Sequence, residues 1–86
     1  MIVAVRSIGP LAKALGGKRV EVVLPDEAAV AELLERLARE KPGAARFLGA
    51  EGPSSARVFR VGRLLDTQER LHARDVLDLV VAIAGG

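Results

Sequence analysis

The chain has 86 residues, half of them hydrophobic, a formal net charge of +2, no cysteine, and only Phe47 and Phe59 as aromatics. That length fits one small domain spanning residues 1–86, with a core built from Val, Leu, Ile and Ala. Disulfides, Cys-based zinc sites and thiol nucleophiles are excluded, and the interleaved charges lack the basic, aromatic-lined face of a nucleic-acid binder.

Ile2 to Ile8 is apolar and β-branched, and Gly9-Pro10 closes it, so it reads as a strand. It also lacks the basic start and long apolar run of a signal peptide. Leu11 to Leu15 reads as a short, helical connection ended by Gly16-Gly17. Arg19 to Leu24 alternates Val20, Val22 and Leu24 against Arg19, Glu21 and Val23, the pattern of a strand with one buried face. The glycine pair between these two strands predicts a hairpin. Gly17-Lys18 after a strand has the look of a phosphate loop, but Ala12 stands where the first Gly belongs and Arg19 replaces the Ser/Thr, so nucleotide binding is not expected.

Pro25-Asp26 announces a helix, with Asp26 as the cap and Glu27 complementing the dipole in the first turn. Val30, Leu33, Leu34 and Leu37 follow i, i+3, i+4, i+7 spacing and form its buried face, and Pro42-Gly43 ends it. Glu51 to Ser55 reads as a loop. Ala56 to Val61 is a third strand, turned by Gly62 into a short piece, Arg63 to Leu65. Within the third strand, Phe59 and Val61 are expected to face the core, with Val58 and Arg60 on the open side. Thr67 to Arg74 is polar and wraps the sheet edge. It holds His72, the only histidine, which has no second histidine for a metal site or base pair. Val76 to Ile83 is the last strand, apolar on both faces apart from Asp78, which predicts a central position. Leu77, Leu79 and Val81 share one face and Val76, Asp78 and Val80 the other. The apolar run from Leu79 to Ala84 is too short to span a bilayer. A cytoplasmic location with no membrane and no nucleic-acid partner is the expectation.

Strand, strand, helix, strand, short strand, strand is the order of an α+β, ubiquitin-like β-grasp. Its mixed sheet has four to five strands, and one main helix packs on one face. The first and last strands are expected as parallel central neighbours. Gly85-Gly86 follows as a bare, flexible tail.

On these residues the chain resembles the small sulfur carriers that include the small subunit of molybdopterin synthase and the thiamine sulfur carrier. The resemblance covers nearly the whole chain. It is most specific from Arg57 to Gly86, where a strand, the Gly62 turn, Leu64-Leu65, a polar loop with Leu71, Asp75 and a terminal Gly-Gly fall in family order. Arg74-Asp75 stands where the family usually has Gly-Asp, and Val81-Ala82 where molybdopterin-type carriers have Pro-Pro. The tail Ile83-Ala84-Gly85-Gly86 is nearer the thiamine type.

The resemblance implies a sulfur carrier that is no catalyst by itself. A partner of the ubiquitin-activating kind would adenylate Gly86 with ATP, and a sulfur-donor protein would convert it to a thiocarboxylate. The large subunit of molybdopterin synthase would then receive the sulfur. The chain itself binds no cofactor and no metal on this reading. Gly85 lets the tail thread a narrow channel, while Val58, Arg60, Val80, Ile83 and Ala84 are the expected partner-binding residues. The rivals are a carrier for thiamine, thiolated tRNA or cysteine synthesis, a ubiquitin-like modifier joined to lysines through Gly86, and a structural module with an incidental Gly-Gly.

Overall fold

The β-branched run at the start of the chain forms β1, Ile2–Arg6, and it pairs on both sides. This computed structural model describes residues 1–48 and 56–81. The Glu51 to Ser55 loop and the tail residues Ile83, Ala84, Gly85 and Gly86 lie outside the described residues.

After β1 come α1, Gly9–Leu15; β2, Arg19–Val23; α2, Val30–Glu40; and a 3₁₀ turn, Pro42–Phe47. β3, Ala56–Arg60, β4, Arg63–Leu64, and β5, Val76–Val81, complete the fold. The five strands lie in the order β2-β1-β5-β3-β4. β1 and β5 are parallel, with Val5 beside Leu77, and every other pairing is antiparallel. This is the β-grasp arrangement expected from the element order. A parallel pair needs a long crossover, and here everything from β2 to the polar segment before β5 supplies it.

One face of the sheet is dry. Val3, Val5, Val22, Val58, Leu77 and Leu79 meet Val30, Leu33 and Leu37 of α2, and all are almost fully buried. Each such side chain contributes roughly 1.5–3 kcal/mol when withdrawn from water, so the leucine stripe of α2 is the main clamp on the sheet.

The start of α2 differs from the sequence expectation. The helix begins at Val30, and neither Asp26 nor Glu27 lies in its first turn. Asp26 instead faces the Met1 nitrogen at 3.4 Å, and Glu27 adopts a left-handed φ of 62°. The free N–H groups of the helix find other acceptors. Val30 and Ala31 donate to the carbonyls of Glu69 and Thr67 at 3.0 Å each, and the Ala29 N–H donates to Glu32 Oε1 at 3.2 Å. The polar segment after β4 therefore caps α2 with its own backbone and leaves no donor for Asp26 to satisfy.

The turn into β5 keeps the geometry of a glycine turn without the glycine. Arg74 has φ 68°, a left-handed conformation that disfavours a residue with a Cβ by roughly 1–2 kcal/mol. Its backbone N–H donates to the Ile2 carbonyl at 2.8 Å, and Asp75 follows, its carbonyl accepting from Ala4. Arg74→Gly should stabilise the protein by about 0.5–1 kcal/mol, after allowing for the greater freedom of unfolded glycine. In a domain this small that raises the melting temperature by roughly 2–8 °C. A lower melting temperature for the variant would contradict the strained-turn account.

Asp75 anchors the same corner. Its Oδ2 accepts from Arg60 at 2.7 Å and from the His72 N–H at 2.8 Å. Burial by itself would raise the carboxyl, but the hydrogen bonds and charge of Arg60, with the His72 N–H, outweigh it and hold the group below the ordinary carboxylate range. A depressed carboxylate stabilises the fold above its unfolded pKa, near ~3.9, and that contribution is lost as pH falls through the folded value.

Candidate functional site

Because β1 and β5 run parallel, their C-terminal ends emerge side by side. The last described residue of β5, Val81, lies at this end of the sheet. Three elements surround that end: the start of α1 at Ile8 to Leu11, Phe47 in the 3₁₀ turn, and the last residues of β5. Ile8, Pro10, Leu11, Phe47, Leu79, Val80 and Val81 line an apolar pocket of about 250 Å³ at this position. Ile8 is 81% exposed and Val80 50% exposed, so the rim offers large apolar groups to solvent beside the end of β5.

The sheet face opposite α2 carries no helix. Register places Ile2, Ala4 and Arg6 of β1, Val76, Asp78 and Val80 of β5, and Arg57 and Phe59 of β3 on it. At its centre Arg6 grips Asp78 with two hydrogen bonds, Nε to Oδ1 at 2.8 Å and Nη2 to Oδ2 at 3.0 Å. That bidentate pair lets a carboxylate sit in the central strand between Val76 and Val80. It also keeps the Arg6 guanidinium more firmly charged than a free one, through the hydrogen bond and the charge of Asp78. Val80 stands as expected on the open face next to the end of β5.

Two of the expected binding residues lie elsewhere. Val58 is 2% exposed and packs in the core, opposite Leu79. Arg60 points to the same side at the C-terminal end of β3, where it is largely buried against Asp75 and the Arg70 carbonyl. The faces of β3 are the reverse of the sequence expectation because Val61 is not part of the strand. It sits in the turn with φ 49°, followed by Gly62 at 77°, and is 94% exposed. Counting Val61 as an inward strand residue shifts the alternation by one and exchanges the two faces. Phe59, half-buried, is therefore the β3 side chain on the open face, and Val58 and Arg60 are withdrawn as docking residues.

Sequence reading missed the pocket rim. Ile8 and Phe47 are far apart in the chain and belong to no periodic pattern. The one local sign was a large apolar residue directly before Gly9-Pro10, where a strand ends and burial is not expected. Among the described residues there is no group of His, Cys, Asp and Glu that could hold a metal ion, and no helix is long and apolar enough to cross a membrane.

Comparison with known proteins adds to this geometry. A family profile described as the ThiS family matches residues 5–86. No curated protein matches the sequence. Among solved structures, SAMP1 from Haloferax volcanii is similar with a TM-score of 0.82 and 26% identity, the whole of both chains being covered. The HVO 2177 protein of Haloferax volcanii gives 0.80 and 26%, over 100% of this chain and 87% of that one. A protein–protein complex of subunits 1 and 2 of molybdopterin-converting factor from Helicobacter pylori gives 0.63 and 24%, over the whole of both chains, a likeness of fold.

Proposed function

The chain belongs to the ThiS family of small β-grasp sulfur carriers, and from that premise we propose that it carries sulfur as a thiocarboxylate on Gly86 and serves as the small subunit of a molybdopterin synthase. The observation that carries this reading is the course of β5. It runs through the centre of the sheet, parallel to β1, and leads directly into the segment ending in Gly85-Gly86, all within the family match.

The chemistry follows from what a carboxylate lacks. With a pKa near ~3.5, a C-terminal carboxylate is ionised at neutral pH and resists attack. Its oxygen takes AMP from ATP on the activating enzyme and releases pyrophosphate. Sulfide-level sulfur delivered by the donor protein then attacks the acyl carbon, and the C–S bond forms as the C–O bond to AMP breaks and AMP leaves. The resulting thiocarboxylate sulfur is nucleophilic near neutral pH and passes to a pterin precursor held by the large subunit. Gly85 and Gly86 add no side chain to the thread and leave the acyl carbon uncrowded.

Thiocarboxylated protein, mixed with the large subunit and the pterin precursor of the same host, should yield the sulfur-bearing pterin. Transfer instead to a thiazole precursor or a tRNA would move the chain to another pathway. A second reading, conjugation of Gly86 to lysines as a modifier, draws support from the similarity to SAMP1 and to the small archaeal modifier protein 1 of Haloferax volcanii. Isopeptide-linked Gly86 on cellular proteins would favour it.

In the carrier reading the open face and the pocket rim dock the protein that takes the tail. Val80→Asp places a charge where an apolar contact is required. It should weaken large-subunit binding by about thirtyfold or more, the loss expected at a central interface residue. Folding should be unaffected, because Val80 faces solvent in the free protein. An unchanged dissociation constant for the folded variant would remove this surface from the interface.

A further inference from the structure

The charges of the molecule are sorted along the strand direction. At the end where β5 finishes lie Lys13 on the last turn of α1, Lys18 just before β2 and Arg19 at its start, Lys41 over Gly16, and Arg46 stacked 4.7 Å from the centre of the Phe47 ring. Lys18 is tied to this end by its carbonyl, which accepts from the Ser7 N–H at 2.9 Å, and Arg19 lies directly across from Arg6. All five cations are exposed, and among the described residues none forms an ion pair. Of the described carboxylates near them, Asp78 is engaged by Arg6 and Glu40 by Arg36, which leaves Glu21, beside Arg19 on β2, as the one outside any ion pair. At the opposite end the guanidiniums of Arg60 and Arg63 are matched by Asp75 and Glu69, Arg70 donates to the Glu27 carbonyl, and Arg74 stands outside any ion pair among the described residues. The net charge of the whole chain is only +2, so the asymmetry is hidden in the composition.

We propose that this cationic collar docks an acidic protein surface on the enzyme that activates the tail. The inference rests on the carrier reading and adds the chemistry of its partner. Charges spread over α1, β2 and the 3₁₀ turn, and aimed outward, match a surface rather than a point ligand such as a phosphate. Their fields add within a Debye length of roughly 8–10 Å and steer an oppositely charged partner toward the tail. The pocket between them supplies the apolar contact that fixes the docked pose.

The test is the ATP–pyrophosphate exchange catalysed by the adenylating enzyme of the same host, measured against the concentration of this chain. KM for the chain should rise about tenfold between low salt and about 0.5 M salt while kcat stays level, as screening removes the attraction. Lys13→Gln/Lys18→Gln should raise KM several-fold at low salt and lose part of the salt dependence. Arg74→Glu, an equal change in net charge at the far end, should leave both unchanged. Exchange that is insensitive to salt and to the lysine variants would overturn the collar while leaving the carrier reading intact. Equal effects of the lysine and Arg74 variants would also overturn it, since net charge alone would then act. Tight, salt-sensitive binding of a single-stranded RNA probe at the same lysines would assign the collar to a polyanion instead. No exchange at any salt would sink the carrier reading, and the collar proposal with it.

Discussion

Leu33→Ala is expected to remove about 2–5 kcal/mol of stability, a large share of the 5–15 kcal/mol typical of a folded domain. Leu33 is 0% exposed and lies at the middle of the α2 face that covers the sheet. It belongs to the same core cluster as Val3 and Val5 of β1 and Leu77 and Leu79 of β5, so truncation leaves a cavity in the core that α2 shares with the central parallel pair. Urea titration of the variant should give a much lower midpoint with the same slope. Val23→Ala, at an exposed strand position, should change stability by no more than about 0.5 kcal/mol. Similar losses for both variants would mean that α2 does not clamp the sheet through this face.

The same residue illustrates why the layout was legible in the sequence. Leu33 belongs to a helical stripe that repeats over two turns, and such a pattern has one physical use in a chain of this size. The alternation of β2 was equally direct, because burial on one face leaves a period of two, whereas β5 is central as its apolar run suggested yet buried on one face only, with Val76 and Val80 exposed on the other. The order of the elements then restricted the topology to a sheet with β1 and β5 at its centre.

What could not be seen was set by contacts distant in sequence. Asp26 has the chemistry of a helix cap, yet the cap is made by the carbonyls of Thr67 and Glu69, some forty residues on. The reversal of β3 had a smaller cause. A β-branched valine in a left-handed turn runs against its own preference, so Val61 was read as strand and carried Val58 and Arg60 to the wrong face. Arg74 in a glycine-like turn is the same kind of exception. In the site, Val80 was legible because it lies on a regular strand. The pocket of Ile8 and Phe47 was not, since it forms only when α1 and the 3₁₀ turn close around the end of β5.

Deletion of Gly86 is the second large expected effect: complete loss of sulfur transfer with no loss of stability. The chain has no cysteine and a single histidine, so no other group can hold transferable sulfur or replace the missing acyl carbon. The core is formed upstream of Val81, and removing one residue from the end of a tail subtracts little from it. The melting temperature should therefore match the full-length protein, which separates a chemical defect from a folding one. The deciding measurement is the intact mass of the chain after incubation with ATP, the activating enzyme and the sulfur donor of its own host. The full-length chain should gain a population with one oxygen replaced by sulfur, located by fragmentation to Gly86, and the chain lacking Gly86 should gain none. An unchanged full-length mass while the enzyme exchanges pyrophosphate in its presence, or sulfur acquired by the shortened chain, would contradict the carrier account.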